Sequence, residues 1–306
     1  MSPVLRLARI ILPSRAPLDL ARFYVTALGF THTGTHPISE PALGELLGLP
    51  GAQGELVSLR LGAQRLGLLR TDPAGLAYPA DITPTSTRFQ HFAMTVGEMA
   101  QAQARLQAVP AWQPISRGGP QQLPPASGGI TAFKFRDPEG HPLELIAGAA
   151  APAGQINHSA ISVQSARRSA GFYEGLGLKL TGATLNVGIE QDRLDGVPQA
   201  RVAVKALSLP DGSAPHLELL CYGDGCQRPA AASAANDIAA AWLVFTVRSE
   251  AQLRALLERF RPGLAPSRFA DGTLRGLIRD PDGHWLCLEL PGASGLKAQP
   301  PVAKPG

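Results

Sequence analysis

The chain has 306 residues, 44% of them apolar and 17% charged, with a mean hydropathy near zero, which excludes a disordered or fibrous protein and leaves room for two cores. Its formal charge of +4 is scattered: Arg6, Arg9, Arg15 and Arg22 lie among apolar residues and no basic run alternates with aromatics, so nothing points to nucleic acid. No stretch approaches the roughly 18 continuous apolar residues of a membrane span.

The opening MSPVLRLARIILPSRAP has an apolar run broken by Arg6 and Arg9 and no small-residue cleavage site after it, so it reads as a first strand, not a signal peptide. Three cysteines, Cys221, Cys226 and Cys287, are too few for a disulfide framework. Cys221 and Cys226 bracket YGDG, but no second pair completes a tetrahedral site, and all three read as loop and strand residues. The expectation is a cytoplasmic protein.

Next comes ARFYVTALGF (21–30), an aromatic pair on a helix closed by Leu-Gly; AGFYEGLGLKL (170–180) repeats it. HFAMTV (91–96), HSAISV (158–163) and WLVFTV (242–247) read as strands, the first and last leading into the helical AQAQARLQA and AQLRALLER. FKFRDPEGHPLELI (133–146) and GLIRDPDGHWLCLEL (276–290) share apolar strand, Asp-Pro-acidic-Gly turn and apolar strand, which is hairpin grammar. Strand, helix, then strands therefore recurs four times, near 4–80, 88–148, 156–224 and 240–290. AGAAAPAGQ (147–155) links the second module to the third and RPAAASAAND (228–237) the third to the fourth. Two domains are expected, 1–148 and 156–291, with a Pro, Gly and Lys rich tail over 292–306 expected to be disordered.

The order of strand, FY-containing helix ending in Leu-Gly, and DPxGxxxEL hairpin resembles the vicinal oxygen chelate superfamily of lactoylglutathione lyases, extradiol dioxygenases, methylmalonyl-CoA epimerases and bleomycin-resistance proteins. The resemblance implies an α+β fold: four βαβββ modules forming two glyoxalase-like domains with cupped mixed sheets. It also implies one divalent metal per complete pair of modules, with one ligand from each first strand and one, usually Glu, from each last strand.

Mapped onto the modules, those positions are His91 and Glu144 in the second and His158 and Glu218 in the third. In the first module the strand position is Arg9, or Ala8 if Pro13 marks an insertion, and Leu68 stands about where Glu should be. In the fourth the two are Trp242 and Cys287, with Glu289 two residues on along the same face. If modules pair first with second and third with fourth, each site keeps half its ligands. Pairing second with third and first with fourth gives one full site, His91, Glu144, His158 and Glu218, and one without ligands; this is the favoured arrangement. His141 and His284 read as hairpin caps, Asp137 and Asp280 as turn residues, and His32, His36 and His216 as surface or loop residues.

Two imidazoles and two carboxylates suit Zn, Ni, Co, Mn or Fe(II). The resemblance implies a metal-dependent lyase or isomerase acting on a small molecule through a metal-bound enediolate, with Glu144 or Glu218 as proton-moving base. The alternatives are an extradiol-type ring-cleaving dioxygenase and a ligand-sequestering, resistance-type binding protein. LLCYGDG after Glu218 lacks the Asn of lactoylglutathione lyases, and Trp242 replaces the second His of the extradiol pattern. Arg117, Gln121, Asn186, Gln191 and Tyr222 are candidate pocket residues. Because one chain supplies all four modules, a monomer is expected.

Overall fold

A computed structural model describes residues 2–39, 41–228 and 231–292, so the tail beyond Gly292 lies outside the described residues. The first module runs β1 (Val4–Pro13), α1 (Pro17–Leu28), β2 (Thr31–Ile38), α2 (Pro41–Leu47), β3 (Gln53–Leu61) and β4 (Gln64–Asp72). The second runs β5 (Gln90–Val96), α3 (Met99–Gln107), the two-residue strands β6 (Gln113–Pro114) and β7 (Gln121–Gln122), β8 (Thr131–Arg136) and β9 (Pro142–Ala147). The third runs β10 (Gln155–Ser162), α4 (Ala166–Leu176), β11 (Lys179–Asn186), α5 (Ile189–Asp195), β12 (Val202–Ser208) and β13 (His216–Cys221). The fourth comprises β14 (Trp242–Val247), α6 (Glu250–Phe260), β15 (Ser267–Arg268), β16 (Leu274–Arg279) and β17 (Trp285–Leu290).

The helix stops follow the sequence: Gly29 and Gly177 close α1 and α4 at φ 76° and 103°, a left-handed backbone that a side chain would strain. Ser165 caps the start of α4 by accepting from the Arg168 amide. At the hairpins, Asp137 Oδ1 accepts from the Glu139 and His141 amides and Asp280 Oδ1 from those of Asp282 and His284. Those carboxylates shape the turns that their Asp-Pro signature announces.

The strands make two mixed sheets. One has the order β15-β16-β17-β14-β1-β4-β3-β2, the other β11-β12-β13-β10-β5-β9-β8-β6, with β7 also on β8. Each sheet thus joins the first strands of two modules antiparallel, β1 to β14 and β10 to β5. Modules one and four share a sheet, and modules two and three share the other, so neither 1–148 nor 156–291 closes a sheet by itself.

Period-two alternation then decides which residues face which way. One core lies between the sheets and holds Phe92, Leu143, Leu145, Ile161, Leu217 and Leu219 from one sheet, Ile10, Leu66, Leu68, Leu243 and Leu288 from the other, and apolar residues of α1, α3, α4 and α6. The alternate residues turn to the opposite face. On the second sheet these form two small apolar clusters, one around Ala93, Ala132 and Ile146 and one around Ala160, Val204 and Leu220. His91, Glu144, His158 and Glu218 share that face by the same parity.

Candidate metal centre

Four strands bring the quartet together at the seam between modules two and three. A bulge between Ile156 and His158 shifts β10 so that His158 lies opposite Ala93 and Ala160 opposite His91. Parallel pairing sets Glu144 beside Ala93 and Glu218 beside Ala160. Small residues at 93 and 160 therefore leave room between the four long side chains.

Glu144 Oε2 lies 3.1 Å from His91 Nε2 and 3.5 Å from His158 Nε2, and Glu218 Oε2 lies 3.7 Å from His158 Nε2. The ligand atoms of His91, Glu144 and His158 all fall within 4.8 Å of one another. Those separations suit donors on one ion, since two ligands at about 2.1 Å from a metal sit roughly 3 Å apart at an octahedral edge. His158 Nδ1 is 3.0 Å from Asn157 Oδ1, which fixes the ring and leaves Nε2 facing the carboxylates. His91 Nδ1 is buried without a hydrogen-bond partner among the described residues. His91, Glu144 and His158 are buried, whereas Glu218 is half-buried, so the site opens on the module-three side.

Electrostatics split the two imidazoles and hold both carboxylates ionised. Burial, then the Lys134 ammonium, pulls the His91 pKa down and favours the neutral imidazole a metal needs. His158 goes the other way: burial pulls it down, but Glu218 and Glu144 outweigh burial and raise it. Burial pushes Glu144 up, yet Lys134, His158 and His91 together hold it well below the usual carboxylate range. Glu218, likewise penalised by burial, is held at about 2 by His158 and His216.

Three residues of this region were not singled out by sequence. His216 Nε2 is 3.2 Å from Glu218 Oε1, and His158, His216 and Glu218 form a second group whose ligand atoms lie within 4.8 Å of one another. Two residues before Glu218 on one strand, His216 shares its face by periodicity, a signal that outweighs its reading as a surface residue. Lys134, directly across from Glu144 on β8, is buried and donates to Asp195 Oδ1 at 2.7 Å. Asp195 Oδ2 in turn accepts from Gln191 Nε2 and the Tyr222 hydroxyl at 2.7 and 2.8 Å.

Of the expected pocket residues, Gln191 and Tyr222 thus meet on one buried carboxylate at the end of α5. Asn186 is half-buried with an unpartnered Oδ1. Arg117 is exposed, and Gln121 is occupied in its own loop, donating to the Arg117 and Gly119 carbonyls.

The matching face of the other sheet shows what the same geometry becomes without ligands. A bulge between Leu7 and Arg9 repeats that of Ile156 and His158, so Arg9, not Ala8, holds the first-strand position. Trp242 pairs with Ile11 as His91 pairs with Ala160, and Cys287 lies beside Val244 as Glu144 lies beside Ala93. Ile11 sits beside Gly67, which places Gly67 at the position of Glu218; Leu68 points into the shared core. Glu289 is engaged by the guanidiniums of Arg9 and Arg275, and α2 packs Ala42, Leu43 and Leu46 against Trp242 and Cys287. Leu277 stands across from Cys287 where Lys134 stands across from Glu144.

Residues 155–288 match the family described as the Glyoxalase/Bleomycin resistance protein/Dioxygenase superfamily. That match spans modules three and four. Among solved structures, glyoxalase I from Zea mays is similar at 16% identity and a TM-score of 0.60, covering 93% of this chain and 92% of that one. A putative dioxygenase from Bacillus subtilis is similar at 13% identity and a TM-score of 0.58, covering 95% and 87%. These likenesses show the same α+β fold over both sheets. No curated protein matches the chain. Among the described residues no helix is long and apolar enough to cross a membrane.

Proposed function

We propose that the chain is a metal-dependent enzyme acting on a small molecule, a lyase or isomerase working through an enediolate, with His91, Glu144, His158 and Glu218 holding one divalent ion of the Zn, Ni, Co, Mn or Fe(II) group. The observation that carries this reading is the convergence of the four side chains on one face of one sheet, while the matching face of the other sheet is filled by Trp242, Cys287 and α2. When bound, the ion supplies Lewis acidity toward vicinal substrate oxygens.

The protein residues divide the remaining work. Glu144, ionised between two imidazoles and Lys134, serves as a fixed ligand. Glu218, on the open side, is the carboxylate a substrate can reach and is assigned the proton transfer. Ala160, Val204 and Leu220 form an apolar cluster beside Glu218 on the same face.

A second reading has its own support. His91, His158 and Glu144 alone form a two-histidine, one-carboxylate group, the set that holds Fe(II) in ring-cleaving dioxygenases. Elemental analysis of protein purified without added metal or chelator tests both. About one equivalent per chain, lost in a His91→Ala, His158→Ala double variant, is expected, with iron favouring the dioxygenase. Absence of metal from the wild type even after reconstitution, or equal metal in the variant, refutes the proposal.

A further inference from the structure

We propose that His216 is a fifth protein ligand of the ion, an inference that rests on the metal-dependent reading of the quartet. Parallel pairing of β10 and β13 places His216 directly beside His158 and Glu218 beside Ala160, all on the same face. Continued by one step, the register of β5 and β9 puts Pro142, which has no donor, beside His91. Module two therefore offers two donors and module three offers three.

Side-chain geometry agrees with the register. His91 Nε2 faces Glu144 Oε2 at 3.1 Å, His158 Nε2 faces both carboxylates, and His216 Nε2 faces Glu218 Oε1 at 3.2 Å. Three imidazoles thus present the same ring nitrogen to one pair of carboxylates. The two candidate groups, His91-Glu144-His158 and His158-His216-Glu218, share His158, and Nε2 of a single imidazole ligates one ion. The five ligand atoms form two groups that meet at His158 and do not all lie within 4.8 Å of one another, so one ion held through His158 draws the two groups together. The side chains of His216 and Glu218 are 29% and 23% exposed, against 2% for His91 and 7% for Glu144, so the fifth donor stands on the side from which an ion or a substrate arrives.

Co(II) alone is the probe, titrated into chelator-stripped, full-length protein and followed by its visible ligand-field absorption, with affinity obtained by chelator competition. The wild type, His216→Ala, His216→Asn and His91→Ala are compared. Loss of a group that only hydrogen-bonds a ligand also weakens binding, by about 10- to 100-fold, so affinity alone does not decide. The asparagine variant retains a hydrogen-bond donor for Glu218 but not an imidazole.

The expected result is one equivalent in the wild type, a loss of about tenfold or more in both His216 variants, and the same displacement of the ligand-field bands in both. Bands unchanged in either His216 variant, whatever the affinity, overturn the fifth ligand while leaving the quartet standing. Equal binding by the wild type and His91→Ala, or none by the wild type, removes the quartet and the proposal with it.

Discussion

The Tyr24 hydroxyl donates to Asp137 Oδ2 at 3.0 Å, joining the helix of module one to the hairpin turn of module two, and Tyr173 repeats the bond to Asp280 Oδ2 at 3.1 Å between modules three and four. The two motifs that reveal the repeat in the sequence, the FY pair and the Asp-Pro turn, are therefore partners in space. Each bond links modules that lie in different sheets, so it ties the two sheets together across their common core. His141 strengthens the first link, with Nδ1 2.8 Å from Asp137 Oδ2 and Nε2 3.0 Å from the Pro13 carbonyl.

Removing the hydroxyl tests that link. Tyr24→Phe keeps the ring, which packs against Phe23, Phe30 and Phe92, and deletes only a hydrogen bond to a buried carboxylate. A loss of about 1–3 kcal/mol is expected by urea denaturation. Glu144 and His158 lie on the opposite face of their sheet, so Co(II) affinity should stay within a factor of about two of the wild type. A stability change below about 0.5 kcal/mol would mean that solvent or a neighbour replaces the hydroxyl at no cost.

Protons compete with the ion at His158. Burial opposes its charged form, but Glu218 and Glu144 raise its pKa above the ordinary 6.5 in the metal-free protein. In that state the protonated ring contributes stability that is complete below about pH 6.5 and is lost as pH rises through the raised folded value. Metal binding needs the deprotonated ring, so its sign is opposite. Apparent affinity should fall about tenfold per pH unit below the raised value and level off above it. Chelator competition with Co(II) between pH 6 and 9 measures this, and a flat profile across that range contradicts it. His91, whose pKa burial and Lys134 lower, gives its own step on the acid side of that of His158.

Much of this arrangement was legible in the sequence, for reasons that can be located. The pairing of modules two and three followed from asking which modules carry His and Glu, because a site needs both halves and only that pairing completes one. Leu68 was misplaced by one residue since the register of β4 against β1 is set by backbone pairing that spacing does not reveal; Gly67 faces the cup instead. His216 was visible in principle through its two-residue spacing from Glu218. Lys134 stands out only against Leu277, its counterpart in the repeat, once the two hairpins are superposed strand by strand. Asp195 had no local signal: it arrives from α5, about 60 residues along the chain from its partner Lys134.

The Lys134–Asp195 pair gives the last prediction. Both side chains are nearly inaccessible, and an ion pair taken out of water is costly unless its remaining groups are satisfied, as Gln191 and Tyr222 do for Asp195. Burial disfavours the ammonium, but Asp195 and then Glu144 hold the Lys134 pKa above the ordinary lysine value, so the charge persists at neutral pH. Lys134→Met keeps the length of the side chain and leaves the Asp195 carboxylate uncompensated, for which a loss of about 3–5 kcal/mol is expected. Asp195→Asn in the same chain removes the orphaned charge and should recover most of that loss, since replacing both ions is far less costly than removing one. Urea denaturation of the two single variants and the double variant closes the cycle. Additive effects, with no recovery in the double variant, would show that the pair is not the unit that anchors α5 over the centre. The same variants carry a second consequence at Glu144, whose carboxyl burial pushes up and the Lys134 charge helps to hold down. With the ammonium gone, the Glu144 carboxyl should titrate higher, and Co(II) binding should weaken at acidic pH in the double variant even where its fold is restored.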